Sequence, residues 1–292
     1  MKTEKKEKTL KVLVCYHKKD YLIEDKSFLP IQVGKSSSNV DLNITGDNTG
    51  DNISDKNYCY CELTGIYWAW KNLKNVDYIG LCHYRRFFDF HNQCRKGFPL
   101  TAFPVNTISE MDLSIPKSLL SQLDKGYVVM IKPFTFGHTL HLDYCANLIS
   151  EDFHTLRLTI NETQPQYIKE AFHETMYHNN KFSPYNMFIM KWSDFDQYCH
   201  WLFSLLSLVE KKKNISHYSP AQIRIYGYMG EYLLNVWVKA MNKKRLYKPV
   251  IWFNDTGDFW QGSLLKYRIR CLFNDIAVWF AKDRSRIFRL KK

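Results

Sequence analysis

Residues 50–89 read GDNISDKNYCYCELTGIYWAWKNLKNVDYIGLCHYRRFFD. The opening is turn-forming and polar. From Ser54 onward Tyr60, Leu63, Tyr67, Trp70 and Leu73 recur every three or four positions, which places them on one face of an amphipathic helix with Asp51 or Ser54 as N-cap. Asn75 ends that helix, and residues 78–82 (YIGLC) follow as a short apolar strand that runs out into His83-Tyr84-Arg85-Arg86. In an open α/β sheet, ligands bind outside the carboxyl ends of the strands, so a basic and aromatic cluster there suits an anionic ligand.

Upstream, residues 10–15 (LKVLVC) have the pattern of a buried strand, and Tyr16-His17-Lys18 falls at its carboxyl end. The order strand, long loop, helix, strand needs a crossover, so the two strands are expected to be parallel with a right-handed connection. Between them, residues 21–52 lose periodicity. Pro30, the run Ser36-Ser37-Ser38 and the near-repeat Gly46-Asp47-Asn48 then Gly50-Asp51-Asn52 are turn chemistry, as compatible with a functional loop as with a variable surface excursion.

Downstream, residues 117–123 read as a helix, 127–131 as a strand stopped by Pro133, and 138–178 as mainly helical. A strand at 185–190, helices at 193–213 and 228–241, and a strand at 249–253 complete the pattern. There is no long internal repeat and no clean linker. A single α/β domain with a helical C-terminal part is the economical reading.

The 292 residues, 45% hydrophobic and 24% charged, have a globular composition. No stretch approaches 18 apolar residues, and the N-terminus leads straight into a strand, so a cytoplasmic protein is expected. The eight cysteines form no C-x-x-C pair, which points to reduced thiols rather than a zinc site.

Most of the net charge of +12 sits at the ends: residues 1–11 carry +3 and residues 264–292 carry +7. A near-neutral body argues against a nucleic-acid groove, and basic ends argue for an anionic surface. Within the tail, Leu265, Ile269, Leu272, Ile276, Trp279 and Phe280 fit one helical face flanked by Lys and Arg. A core-packed terminal helix would show the same stripe, but the charge distribution favours an interfacial helix on the inner face of the cell membrane.

The stretches VCYHK (14–18), IQVG (31–34), GDNISDKNYCYCELTGIYWAWKN (50–72), DYIGLCHYRRFF (77–88), YNMFIMKWSDFDQYCHWLF (185–203) and GYMGEYLLNVW (227–237) resemble the capsular and exopolysaccharide biosynthesis glycosyltransferases long catalogued as a domain of unknown function. Residues 91–125 and the basic tail match less. The resemblance implies a GT-A-like enzyme with a Rossmann-type, mostly parallel sheet flanked by helices. That domain is expected over residues 1–263, with a nucleotide-binding half at about 10–132 and an acceptor half at about 133–263, followed by the amphipathic tail 264–292. It also implies a nucleotide-sugar donor, a UDP-sugar by preference, and a lipid-linked or growing capsular or exopolysaccharide acceptor. Some members of the family are similar to galactofuranosyltransferases.

Most enzymes of that architecture hold a divalent metal with an Asp-x-Asp motif after the hydrophobic strand, and His83-Tyr84-Arg85-Arg86 occupies that place. Guanidinium groups grip diphosphate oxygens in a bidentate way, so Arg85 and Arg86 can replace the metal, and no cofactor is expected. The alternative for either is a local ion pair, for instance with Asp77 or Asp89.

Tyr16 is a candidate to stack on the base, with His17 and Lys18 beside it. Gln32, Asp51 and Asn52 are candidates to read base or ribose, with Gly34 in the matched IQVG, and Lys56 is placed to reach a phosphate. Ser54 and Asn57 stand at a helix N-terminus that offers N–H donors, although Asp51, Ser54 and Asn57 serve equally well as ordinary cap and turn residues. Glu62, among bulky apolar residues, reads as a buried partner for Lys or Arg. For the base that takes the acceptor hydroxyl's proton, Glu231 comes first, then Asp143 and His83; Glu231 is equally a first-turn helix acid.

The His138-x-x-His141 pair lacks a third metal ligand, and the GDN near-repeat lacks the Glu that closes a calcium loop. The rival readings are a nucleic-acid or polyanion binding protein, which the aromatics on helical faces disfavour, and a non-catalytic scaffold of polysaccharide assembly.

Overall fold

The computed structural model describes residues 8–257 and 262–289, the side chains of 281–289 excepted. The first strands are β1 (Leu10–Tyr16), β2 (Phe28–Gln32) and β3 (Thr45–Gly46). Helices α1 (Asn57–Tyr60) and α2 (Leu63–Asn72) lead to β4 (Tyr78–His83), β5 (Arg86–Phe88) and β6 (Leu100–Pro104). Next come α3 (Ser118–Asp124), β7 (Tyr127–Ile131) and β8 (Phe134–Thr135), then α4 (Leu140–Asn147), α5 (Ser150–Thr163) and α6 (Gln166–Tyr177). The chain continues through β9 (Lys181–Phe182), β10 (Phe188–Lys191), α7 (Trp192–Glu210), α8 (Ile225–Ala240), β11 (Lys244–Lys248), β12 (Val250–Asn254) and α9 (Leu264–Arg289).

The main sheet runs β11-β7-β10-β4-β1-β2-β3, and β4 turns through β5 into a wing with β12 and β6. The ladders β1–β2, β1–β4, β2–β3, β7–β11 and β6–β12 are parallel. β10 runs antiparallel between β4 and β7. The sheet is thus mostly parallel and flanked by helices, and β1 and β4 pair in parallel as their apolar runs imply.

Side chains alternate between two cores. Leu13, Cys15, Ile79 and Leu81 face the helices α2, α7 and α8, while Val12, Val14, Tyr16, Tyr78 and Cys82 face the wing and α3. Each fully buried aliphatic side chain in these layers contributes roughly 1.5–3 kcal/mol.

Residues 21–52 hold more order than their composition suggests, because β2 lies beside β1 with Pro30 in the middle of it. β3 pairs only with Ile31 and Gln32, so Pro30 lies beyond that ladder, where a missing N–H costs no strand pairing. The expected single helix after Ser54 is in fact α1 and α2, interrupted at Cys61, whose φ of 52° and ψ of −133° are not helical. The tail is helical, as its periodicity implies. Its last residues, 290–292, and most of the N-terminal basic run, residues 1–7, lie outside the described residues.

Candidate active site

A cavity of about 720 Å³ opens at the carboxyl ends of β1 and β4. β1 and β4 run side by side with Cys15 opposite His83, so Cys15 and His17 from one and His83 from the other share the helix-facing side. β10 is antiparallel to β4, and its entry therefore lies at that same end, delivering Tyr185. The break at Cys61 exposes Cys61 and Glu62 to the cavity, and the start of α8 adds Arg224, Tyr228 and Glu231. Gly227 permits that approach: a Cβ there would lie 2.9 Å from the Cys61 sulfur.

Two consecutive non-glycine residues, Tyr185 and Asn186, have φ of 70° and 52°. Such conformations cost roughly 1–3 kcal/mol each and persist where the surroundings hold them. Here they aim one residue's backbone at two side chains. The Tyr185 N–H donates to Glu231 Oε2 at 2.8 Å, and His83 Nε2–H donates to the Tyr185 carbonyl at 2.8 Å. That bond leaves Nδ1 as the basic nitrogen of His83, and burial lowers the pKa of the ring, so it is neutral. Asn186 Nδ2 donates to Glu62 at 2.8 Å.

Glu231 is half-buried in the cavity wall. Burial, and then the negative charge of Glu62, push its pKa up to about 8. The Tyr185 N–H, Arg86 and Arg224 act in the opposite direction and do not overcome it. Arg86 lies over the Tyr185 ring, 4.4 Å from its centroid, and its Nε–H is buried without a hydrogen-bond partner. An unpartnered buried guanidinium N–H is costly unless a ligand takes it up. Arg224 donates from Nε to the Cys61 sulfur at 3.3 Å and lies 5.2 Å from the Tyr228 ring centroid.

Arg85 and Arg86 do different things. His83 and Arg86 are opposite each other across the tight β4–β5 turn, so their side chains share a face and Arg85 points to the other. Arg85 pairs with Asp20 at 2.9 Å and with Asp255 at 3.3 Å and does not line the cavity. An ion pair is thus realised for Arg85, though with neither Asp77 nor Asp89.

Of the other expected residues, His17 and Asn57 line the cavity. Burial lowers the pKa of His17, and the neighbouring Lys18 and Arg224 add to that. Tyr16 does not line it: it is fully buried in the wing-side core, where its hydroxyl donates to the Tyr21 carbonyl, so it is not a base-stacking residue. Lys18 is exposed, 5.9 Å from the Tyr84 ring centroid.

Gln32 is fully buried and ties down its own loop, donating to the Val40 carbonyl at 2.6 Å and accepting from Leu42 N–H at 3.0 Å. Asn52 accepts the Ser54 N–H at 3.2 Å, and Asp51 accepts the Tyr67 hydroxyl at 3.1 Å. Lys56 pairs with Glu210 at 2.9 Å. These residues hold the loop rather than a ligand.

The loop's centre is Asp47. Its buried carboxylate accepts the N–H groups of Gly34 (2.8 Å) and Lys35 (3.1 Å) and the hydroxyls of Thr64 (2.6 Å) and Ser54. Gly34, at φ 67°, and Ser54 are therefore structural, and the GDN segment is a loop anchor. Asp143 is likewise engaged, accepting from His138 Nε2 at 3.0 Å and from the Tyr232 hydroxyl at 2.8 Å outside the cavity, which removes it as a proton acceptor for this site. His141 packs between the Phe153 and Tyr177 rings, so the two histidines do not converge. No cluster of three or more His, Cys, Asp or Glu side chains with metal-holding geometry occurs among the described residues.

Sequence reasoning missed Arg224, Tyr228, Tyr185 and Cys61, and placed Glu62 as an ion-pair partner. Among the described residues Glu62 forms no ion pair with Lys or Arg; it faces the cavity and bonds to Asn186. A signal existed for two of the others: Arg224, Tyr228 and Glu231 are spaced i, i+4, i+7, which is one helical face.

The apo structure of the bifunctional glycosyltransferase WbbM superposes with a TM-score of 0.76 at 24% identity, covering 87% of this chain. The match spans about half (47%) of that longer chain, and at this identity it establishes the shared fold. No curated protein matches. The family described as a domain of unknown function, DUF4422, matches residues 11–244, from β1 into β11 and through every wall of the cavity, and the chain belongs to that family.

Proposed function

We propose that the cavity transfers a sugar from a nucleotide-sugar donor, a UDP-sugar by preference, to a hydroxyl of a lipid-linked or growing capsular or exopolysaccharide acceptor. The observation that carries this reading is the meeting of two guanidinium groups, Arg86 and Arg224, with a half-buried carboxylate of raised pKa, Glu231, at the carboxyl ends of parallel strands. Glycosyl transfer builds negative charge on the departing diphosphate, and fixed cations placed where charge develops lower the barrier. Arg86, with an N–H free to donate, and Arg224 take that role without a metal.

Glu231, once ionised, takes the acceptor hydroxyl's proton. The acceptor oxygen bonds to the sugar's anomeric carbon as the bond to the diphosphate breaks, and the nucleoside diphosphate leaves with the electron pair. Glu62 disfavours ionisation of Glu231 and so makes it the stronger base. His83, neutral and fixed by Tyr185, is placed to accept a hydrogen bond from a sugar hydroxyl. The fold shared with the bifunctional glycosyltransferase WbbM supports the class of reaction. We further propose that the protein works at the inner face of the cell membrane, where a lipid-carried acceptor resides.

The test is a panel of UDP-, GDP- and dTDP-sugars, first by thermal shift, because a tight ligand raises the melting temperature by mass action, and then by donor turnover. One nucleotide class should stabilise the protein, and Arg86→Ala should abolish that shift. Stabilisation by none of the panel overturns the reading, whereas binding without turnover on any acceptor identifies a scaffold.

A further inference from the structure

The helix α9 has two apolar sides. One packs on the body: the Tyr267 ring lies 4.9 Å from that of Phe98, Asn274 donates to the Thr135 carbonyl at 2.9 Å, and Val278 is 3% exposed. Asp275 is held there too, by Lys181 at 3.3 Å and by Asn180 at 3.0 Å. The other side is bare. Leu265, Ile269, Leu272, Phe273, Ile276, Trp279 and Phe280 are 42–69% exposed.

At about 100° per residue these seven side chains fall within an arc of roughly 120°, opposite the packed side. Lys266 and Arg270 border the arc on one edge and Arg268 on the other, all exposed. Scattered apolar residues on a surface need no explanation, but a contiguous stripe on a helix already anchored by its other side does.

We propose that this stripe is a bilayer-insertion surface, with α9 lying in the plane of an anionic membrane and its basic borders on the headgroups. The charge pattern selects the occupant. A second copy packing stripe to stripe would bring the same cations together, whereas anionic lipid neutralises them on both edges. Trp279 within the stripe suits the interfacial layer, and the sequence beyond residue 280 adds six further Lys or Arg against one Asp. No helix among the described residues is long and apolar enough to cross a membrane, so α9 lies on the bilayer rather than through it. This inference is independent of the transferase reading, because it needs no donor and no turnover.

The experiment is co-sedimentation of the full chain with vesicles of phosphatidylcholine alone or mixed about 2:1 with phosphatidylglycerol, at low and high salt. The expected result is a partition at least tenfold stronger onto the anionic vesicles, weakened by salt. Each neutralised cation near the surface is worth about fivefold, so Lys266→Gln with Arg268→Gln should lose roughly 25-fold on anionic vesicles. Leu272→Glu with Ile276→Glu should lose more than tenfold on both compositions while leaving the melting temperature unchanged. Absence of binding to either vesicle overturns the proposal. So does a large drop in melting temperature for the double Glu variant, which would mean the stripe is packed on protein, or a dimer in the ultracentrifuge that the same variant dissociates.

Discussion

Glu231→Gln keeps an oxygen to accept the Tyr185 N–H and removes the ionisation, so one substitution tests both the chemistry and the electrostatics of the cavity. The carboxyl group of Glu231 is raised from 4.5 to about 8 in the folded protein. Between those values the unfolded chain has released a proton that the folded chain still holds, so stability falls as pH rises, by about 1.4 kcal/mol per unit at full slope. By pH 7 the wild type has lost about 3 kcal/mol through this group, and above pH 8 the loss levels off at roughly 5 kcal/mol. The Gln variant is spared it. The two should melt together near pH 4.5, and the variant should melt higher by on the order of 10 °C at pH 8. In turnover, log kcat/KM of the wild type should climb with unit slope to about pH 8 and then flatten, as for a base that must first lose its proton, and the variant should be slower by roughly 10²–10⁴-fold. Paired melting curves from pH 4.5 to 9 and a pH–rate profile decide the matter. A variant within a few-fold of wild-type turnover, or a melting difference that does not change with pH, would refute the reasoning.

Arg86→Ala and Arg224→Ala should each lower kcat/KM by roughly 10²–10³-fold, the usual effect of removing one donor from a charge-stabilising site, whereas Arg85→Ala should cost less than tenfold; equal damage from Arg85→Ala would contradict the hairpin geometry. Turnover should persist in EDTA, and loss restored by Mn²⁺ would sink the metal-free mechanism. Asp47→Ala strands two N–H groups and two hydroxyls, so its denaturation midpoint should report a loss on the order of 3 kcal/mol; a wild-type midpoint would mean the loop is held by something else. Gly227→Ala should cost about 1–3 kcal/mol by overpacking against Cys61 and should lower kcat/KM as well, by shifting α8 from the α1–α2 junction. Unchanged kinetics in that variant would show that the close approach does not position Glu231.

What could be read in advance follows from where each signal is stored. β1, β4, β7 and β10 are continuous apolar runs because they are buried on both faces, and such runs stand out. β2 was obscured by Pro30, and β11, KRLYK, by the charges of an edge strand that no core pattern marks. The break at Cys61 had no Gly or Pro to announce it; Asn57 and Thr64 hold the Cys61 carbonyl there, and both residue types are too common in helices and turns to mark such a place. His83, Arg86 and Glu231 do line the cavity, because the ends of parallel strands and the start of a following helix meet at one end of such a sheet. Gln32, Asn52, Ser54 and Lys56 were misassigned because the groups that bind a ligand edge also bind a backbone, and only the partner distinguishes the two. Tyr185 was invisible for another reason: it holds Glu231 and His83 through its main chain, which leaves no mark in the residue type.

The His83–Arg86 pairing also makes the turn between them a length gauge. Adding one residue between Tyr84 and Arg85 while the turn stays closed would slip β5 by one place against β12, which turns every side chain along it to the other face. Arg85 would then be offered to the cavity and Arg86 to Asp20 and Asp255. Relatives with one residue more at this turn should therefore carry their cavity-facing arginine one position away in the sequence yet in the same place in space, and an alignment that matches arginine to arginine there would equate residues with opposite surroundings.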